Sequence, residues 1–175
     1  MAVEIVLLRG INVGGRNSLP MAELRDLLTG LGAQDVRTYI QSGNAAYRGS
    51  LSEESIAAAI QAAKGFRPQV MIVPFESFAP VVAANPFPDA VEDPKALHLF
   101  FLASPSLVDE VEIDRQKGSE ERFVLTERVF YLHTPKYLTG SLIAGRLERL
   151  LGVSATGRNW RSVEKILEMA RGIEV

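Results

Sequence analysis

The chain alternates short apolar runs with longer segments whose apolar residues recur at helical spacing. Residues 3–8 form a mostly apolar run with β-branched members, which is typical of a buried strand. Residues 20–31 carry apolar side chains three and four positions apart, which predicts a helix. Two predicted strands then flank a turn at residues 41–43, and a helix at 52–64 and a strand at 69–73 follow. This β-α-β-β-α-β order is that of a ferredoxin-like domain.

The second half of the sequence repeats this order of elements without repeating the residues. Its predicted elements lie at residues 97–103 (strand), 105–110 (helix), 123–126 and 129–132 (a hairpin), 141–151 (helix), 153–156 (strand) and 159–171 (helix). The first half closes with a helix at 75–84, before two prolines. We therefore expect an α+β fold of two ferredoxin-like halves, each followed by a helix and packed as one unit. The predicted halves are residues 1–84 and 97–175, with a linker at 85–96.

The composition excludes several classes of function. The chain has 19 Lys+Arg against 21 Asp+Glu, a net charge of −2, which argues against general binding of nucleic acid. Cysteine is absent, so disulfides, zinc ribbons and cysteine nucleophiles are excluded. No apolar run approaches the length of a membrane span, and the first residues lack the pattern of a signal peptide. We expect a soluble cytoplasmic protein without a membrane partner.

A polar, glycine-rich loop connects the first predicted strand to the first helix. It carries Arg9, Asn12, Gly14, Gly15 and Arg16. Glycine N–H groups and the positive end of the following helix suit an oxygen-rich anion, and either arginine can form a fork with phosphate or carboxylate. The glycine spacing matches neither the dinucleotide-binding motif nor the phosphate loop. The alternative is structural, with glycines that permit a tight turn and polar side chains that satisfy the loop.

A second polar motif, Gln41-Ser42-Gly43-Asn44, fills the turn of the first predicted hairpin. Glycine suits this turn because it adopts positive φ, and asparagine can bond to nearby backbone. Ser42 has no evident histidine partner, which argues against a nucleophile. We expect the turn at the end of the sheet opposite the glycine-rich loop, so that the two segments of one half do not form a single site.

Arg158 and Asn159 stand at the start of the last predicted helix. Asn159 is a natural N-cap, and Trp160 is most simply an apolar anchor. Arginine at a helix N-terminus opposes the helix dipole, and such local conflicts tend to occur at sites. Arg158 and Arg161 could therefore form a second anion pocket, whereas the structural alternative gives this segment only a capping and anchoring role.

No constellation for catalysis or metal binding stands out. His98 and His133 lie on separate predicted strands, and no third ligand can be placed beside them. The acidic stretch at residues 109–121 is predicted to be a solvated loop. Residues 3–8 lack the stacking aromatic side chains of an RNA-recognition surface. We expect no metal and no cofactor, while enzymatic activity and oligomeric state stay open.

Four separated segments together resemble a known bacterial family. They are Leu8-Arg9-Gly10-Ile11-Asn12-Val13-Gly14-Gly15, Met21-Ala22-Glu23-Leu24-Arg25, Tyr39-Ile40-Gln41-Ser42-Gly43-Asn44 and Arg158-Asn159-Trp160. The pattern resembles the family catalogued as domain of unknown function 1697, over essentially the whole chain. The resemblance implies a duplicated ferredoxin-like fold in a small cytoplasmic protein, and it implies no activity. The chain departs from the family at Gly157, where a threonine is usual, and at residues 135–141, where relatives often carry a glycine-rich stretch.

The leading hypothesis is a protein that binds a small anionic ligand, either a nucleotide or a phosphorylated metabolite. The residues expected to contact it are Arg9, Asn12, Gly14, Gly15 and Arg16, with Arg158 and Asn159 as a second contribution. The alternative is a non-enzymatic interaction or assembly module whose motifs fix turns and helix caps. The two hypotheses differ at Arg9 and Arg158, because ligand binding requires these side chains to be accessible.

Overall fold

The structure is a computed structural model that describes residues 1–174. The chain forms two compact units. Unit 1 comprises Met1–Val82 together with the chain from Glu164 onward, and unit 2 comprises Ala83–Val163. The sequence groups the whole C-terminal helix with the second half, whereas most of that helix belongs to unit 1 in the structure.

The sheet of unit 1 has four antiparallel strands in the order β2-β3-β1-β4. The elements in chain order are β1 (Val3–Arg9), α1 (Met21–Gly30), β2 (Gln34–Tyr39), β3 (Asn44–Arg48), α2 (Glu53–Lys64), β4 (Gln69–Pro74) and α3 (Phe75–Ala83). The first strand therefore lies in the middle of the sheet, between β3 and β4. This β-α-β-β-α-β arrangement is the ferredoxin-like one.

The sheet of unit 2 has the equivalent order, β6-β7-β5-β8. Its elements are β5 (Leu97–Leu102), α4 (Glu110–Gln116), β6 (Arg122–Leu125), β7 (Val129–His133), α5 (Tyr137–Gly140), α6 (Leu147–Leu151), β8 (Ala155–Asn159) and the start of α7 (Trp160–Glu174). All its neighbouring strands are antiparallel. The prediction of an α+β fold with two similar ferredoxin-like halves is confirmed.

The core of unit 1 lies between its sheet and the helices α1 and α2. Val6 and Leu8 are fully buried in an apolar cluster with side chains of both helices. Ile5 and Leu7, on the other face of β1, are equally buried. Burial on both faces explains why β1 is a continuous apolar run rather than an alternating one. Each such side chain contributes about 1.5–3 kcal/mol of hydrophobic stabilisation.

The core of unit 2 is built around aromatic rings. Phe123 and Phe130 stack with their ring centroids 5.4 Å apart, and Phe100 meets Phe130 edge-on at 6.4 Å. Ile113 of α4 and Leu147 of α6 pack in the same cluster. Stacked and edge-on pairs are the favoured arrangements of aromatic side chains, so these rings fix how the hairpin β6–β7 meets β5.

Two helical segments of unit 2 differ from the sequence-based prediction. The helix predicted at residues 105–110 is wrong, because the helix begins only at Glu110. Asp109 caps it there, since its carboxylate accepts a hydrogen bond of 3.0 Å from the N–H of Val111. The helix predicted at 141–151 is interrupted. The Ser141 hydroxyl accepts a hydrogen bond of 3.0 Å from the N–H of Ala144, where a separate 3-10 turn begins, and α6 starts only at Leu147.

Two arginines of the first sheet hold the end of α7. Arg37 of β2 donates to the carbonyl oxygen of Gly172 at 3.1 Å, and Arg48 of β3 donates to that of Ile173. Carbonyl groups in the last turn of a helix have no intrahelical partner, and cations are favoured beside them. These contacts explain why the C-terminal residues group with unit 1.

Candidate functional site

The two polar motifs of the first half lie together at one end of the sheet of unit 1. Strands β1 and β2 are both antiparallel to β3, so they run in the same direction and end at the same edge. The loop after β1 and the turn after β2 therefore meet there. The prediction that they lie at opposite ends is wrong. We call residues 9–20 and 40–43 together the paired loops.

Asn12 joins the paired loops through its side-chain amide. Its Nδ2 atom donates to the carbonyl oxygen of Leu19 at 2.9 Å and to that of Gln41 at 2.8 Å. Its Oδ1 atom accepts from the N–H of Leu19 at 2.7 Å. The backbone of Asn12 adopts a φ of +50°, a conformation that asparagine tolerates better than most residues. Both amide hydrogens of Asn12 are thus engaged within the fold, and its role here is to position the loops.

Gly43 allows the two loops to approach each other closely. Its φ is +90°, and a Cβ atom built on it would lie 2.7 Å from the Leu8 Cβ and 2.7 Å from the Ile11 Cδ1. The N–H of Leu8 donates to the Gly43 carbonyl oxygen at 2.8 Å. Because any side chain would collide here, glycine is required for both its conformation and its size.

Residues 12–17 form a miniature hairpin rather than an open glycine loop. The N–H of Arg16 donates to the Val13 carbonyl oxygen at 2.9 Å, and Val13 and Arg16 form an isolated β-bridge. Gly14 and Gly15 occupy the turn with φ of +59° and +73°, the positive values that tight two-residue hairpins need. Asn17 donates from Nδ2 to the Gly10 carbonyl oxygen at 2.8 Å and closes the base. The hairpin is therefore held at its base and open at its tip.

The tip of this hairpin presents hydrogen-bond donors to solvent. The Arg16 side chain is exposed and pairs with no other group among residues 1–174. Nor do the N–H groups of Gly14 and Gly15 donate to any acceptor within those residues. A Cβ on either glycine would meet nothing within 4 Å, so the space beside the turn is open. Arg9 lies half-buried at the end of β1, opposite Gln69 of β4.

Arg158 and Asn159 belong to unit 2 and are occupied by local contacts. Arg158 is only 9% exposed, and its Nη1 atom donates to the Gly157 carbonyl oxygen at 2.9 Å. Burial lowers the pKa of its guanidinium to about 10, so it stays charged at neutral pH. Asn159 accepts from the N–H of Ser162 at 2.9 Å and caps α7, which confirms the predicted N-cap.

Unit 2 contains a buried carboxylate that sequence reasoning missed. Glu121, predicted to lie in a solvated loop, is only 5% exposed. It accepts from the N–H of Gly118 at 2.6 Å, from the N–H of Leu142 at 3.2 Å and from the Ser141 hydroxyl. A cavity of about 180 Å³ lies beside it. No spacing rule marks this residue, because its donors come from two segments about twenty positions apart.

A second polar cluster of unit 2 surrounds Arg122. Its guanidinium lies 4.6 Å from the centre of the Phe87 ring and 2.8 Å from an Asp89 carboxylate oxygen, and its Nε donates to His133 Nδ1 at 3.1 Å. The hydrogen bond from Arg122 lowers the pKa of Asp89, whereas burial and then the charge of Arg122 lower the pKa of His133. These contacts tie residues 87–89 to the β6–β7 hairpin.

His98 is a buried histidine of β5. It is 8% exposed, and burial lowers its pKa to about 4, so the ring is neutral at pH 7. Its Nδ1 atom and the Trp160 Nε1 atom find no hydrogen-bond partner among residues 1–174. The same residues contain no group of three or more potential metal-binding side chains. None of their helices is both long and apolar enough to span a membrane.

The fold places the chain among α+β proteins built from two ferredoxin-like units. The chain belongs to the family described as Protein of unknown function (DUF1697), whose model matches residues 1–131. The conserved bacterial protein SP0830 from Streptococcus pneumoniae has a similar structure, with a TM-score of 0.70 and 23% sequence identity over 97% of this chain and 98% of that one. This likeness shows the shared fold. No curated protein matches the chain.

Proposed function

We propose that the protein binds a small anionic ligand, a nucleotide or a phosphorylated metabolite, at the paired loops. The observation that carries the proposal is the exposed Arg16 side chain, which has no partner within residues 1–174 and stands on a hairpin fixed at its base. Guanidinium groups recognise phosphate and carboxylate through paired hydrogen bonds. Because the hairpin backbone is fixed at its base, less of the loop has to be ordered when a ligand binds.

The glycines of the hairpin support the same proposal. Their N–H groups are not engaged by other described residues, and no atom within 4 Å would obstruct the space beside them. Successive N–H groups in turns form concave binding sites for anions. Arg9 supplies a second positive charge at the end of β1. Arg16, Gly14 and Gly15 would thus contact the ligand, Arg9 would add attraction, and Asn12 would hold the loops.

The experiment is thermal unfolding with a panel of nucleotides, phosphorylated metabolites and inorganic sulfate. A ligand at about a hundred times its dissociation constant stabilises a protein by roughly 2.7 kcal/mol. Arg16→Ala should abolish the shift and leave the stability of the free protein nearly unchanged, since its side chain is exposed and forms no hydrogen bond or ion pair with any of residues 1–174. Arg171→Ala is the matched control, because Arg171 also lies in unit 1, is exposed and has no partner among residues 1–174. An equal shift in both variants, or no shift with any ligand, contradicts the proposal.

A second candidate function, a non-enzymatic interaction module, is favoured by exposed apolar side chains at the same place. Val13 at the hairpin is 66% exposed and Ile40 in the neighbouring turn is 47% exposed. Exposed apolar groups on a rigid platform are typical of protein contacts. Ligand-induced stabilisation that survives Val13→Ser and Ile40→Ser supports the anion proposal. Loss of self-association or of a partner in these variants, without any ligand effect, supports the second candidate.

A further inference from the structure

A groove in unit 2 runs along α6 and has no role in the function proposed above. It consists of two adjoining cavities of about 410 Å³ and 360 Å³ that share Arg149 and Leu150. The larger lies between α4 and α6, and the smaller lies between α6 and the loop of residues 103–109. We call the two cavities together the α6 groove.

Leu107 projects from the loop at one side of the α6 groove. It is 98% exposed, although both of its neighbours are held in place. The Ser106 hydroxyl donates to the Leu151 carbonyl oxygen at 2.6 Å and accepts from the N–H of Val108 at 3.3 Å, and Val108 packs on the core. A single exposed leucine is common on protein surfaces. This one differs because an ordered loop holds it beside a cavity that Leu150 and Val153 also line.

Two arginines and one glutamate are the charged side chains that line the α6 groove. Arg149 is exposed, stands where the two cavities meet and pairs with no group among residues 1–174. The Nε atom of Arg146 donates to the Leu142 carbonyl oxygen at 3.2 Å, which orients its guanidinium beside the larger cavity. Glu112 on the opposite wall already accepts from Gln116 at 2.7 Å and lies 3.7 Å from Arg115. The uncompensated charge of the groove therefore comes from arginine.

We propose that the α6 groove binds an acidic peptide segment of a partner protein. An apolar side chain of that segment would pack against Leu107 and Leu150, and its carboxylates would pair with Arg146 and Arg149. Charge complementarity selects this partner, since the apolar side chains of Leu107 and Leu150 beside two arginines match a segment that alternates apolar and acidic residues. The groove lies in unit 2 and shares no residue with the paired loops of unit 1. The two proposals can therefore fail separately.

The test uses the full-length, 15N-labelled protein and two short synthetic peptides. One repeats Glu-Glu-Leu and the other repeats Lys-Lys-Leu, so that they share their apolar content and differ in charge. The acidic peptide should shift the backbone amide resonances of residues 106–108 and 146–153, and the basic peptide should not. Leu107→Ser and Arg149→Gln should each weaken binding of the acidic peptide by about fivefold to tenfold, the size of a lost rim contact.

Matched variants separate the groove from general surface effects. Leu138→Ser removes an exposed leucine elsewhere in unit 2, and Arg161→Gln removes an exposed arginine there that pairs with none of residues 1–174. Both variants should leave binding unchanged. The proposal is overturned if both peptides bind alike, if no resonance shifts, or if the shifts fall outside the groove. It is also overturned if inorganic phosphate alone produces the same shifts. Self-association that Leu107→Ser abolishes would identify a second copy of the chain as the occupant instead.

Discussion

The Nδ2 atom of Asn12 lies 2.8 Å from the carbonyl oxygen of Gln41, and this hydrogen bond joins the loop after β1 to the turn after β2. Asn12→Ala should lower the free energy of unfolding by about 2–3 kcal/mol, because three hydrogen bonds are lost and a less tolerant residue occupies positive φ. Denaturant unfolding measures this loss. Asn17→Ala also places alanine at positive φ (+54°) but removes only one exposed hydrogen bond, to Gly10, so it should cost only about 1–2 kcal/mol. Equal losses in the two variants would show that Asn12 does not hold the loops together.

Gly43→Ala should destabilise the protein by more than about 3 kcal/mol, because a methyl group would collide with Leu8 and Ile11. Gly15→Ala is the matched control, since Gly15 also has positive φ but lies in open space. Its cost should be only about 1–2 kcal/mol, the penalty of the left-handed backbone conformation alone. Denaturant unfolding of the pair measures the steric contribution as a difference. If the two variants are equally stable, the closeness of Leu8 and Ile11 does not restrict the side chain at residue 43.

Ile40→Asn should stabilise the protein by about 1 kcal/mol. The backbone of Ile40 has a φ of +49°, which is costly for a β-branched residue and tolerated by asparagine. Val13→Asn serves as the control, because Val13 is more exposed and does not have positive φ. Thermal unfolding compares both variants with the original chain. A loss of stability in Ile40→Asn would mean that the isoleucine side chain, although 47% exposed, contributes more by packing than it costs in backbone strain.

The stability of the protein should decrease as the pH falls from about 6.5 to about 4, in part because of His98. Its pKa is about 4 in the folded state and about 6.5 in the unfolded chain, so the unfolded state binds a proton first. Over this range the free energy of unfolding of the original chain should fall by up to about 3 kcal/mol more than that of His98→Leu. Denaturant unfolding at several pH values measures the difference. His133→Gln reports the share of the second histidine, and identical pH profiles for His98→Leu and the original chain would contradict the assignment.

Local patterns predicted the elements of both sheets well, because periodicity in a short window reports burial directly. Local periodicity does not show which strand ends lie at the same edge of the sheet, because that depends on how the strands pair. β1 and β2 share a direction only because both pair with β3. The ferredoxin-like order already implies this shared direction, and with it that the turn after β2 lies at the same end of the sheet as the loop after β1.

The candidate site was only partly predictable for a related reason. Glycines next to polar residues in a loop predict a turn from the sequence. The structure has a turn there, with Gly14 and Gly15 at positive φ. The contact between Asn12 and Gln41 spans 29 positions, so no local rule assigns Asn12 to positioning rather than to binding. The burial of Arg158 and of Glu121 likewise depends on tertiary packing. In each case the sequence shows the residue type but not the partner that determines its role.

The contacts of Arg37 and Arg48 with the end of α7 have a consequence for synthesis on the ribosome. Their acceptors, the carbonyl groups of Gly172 and Ile173, leave the exit tunnel after every residue of unit 2. Domains generally fold as they emerge, with the N-terminal one first. Here the strands of unit 1 are complete by Pro74, but the segment that Arg37 and Arg48 contact is synthesised after unit 2, so unit 2 can fold before unit 1 gains these two contacts.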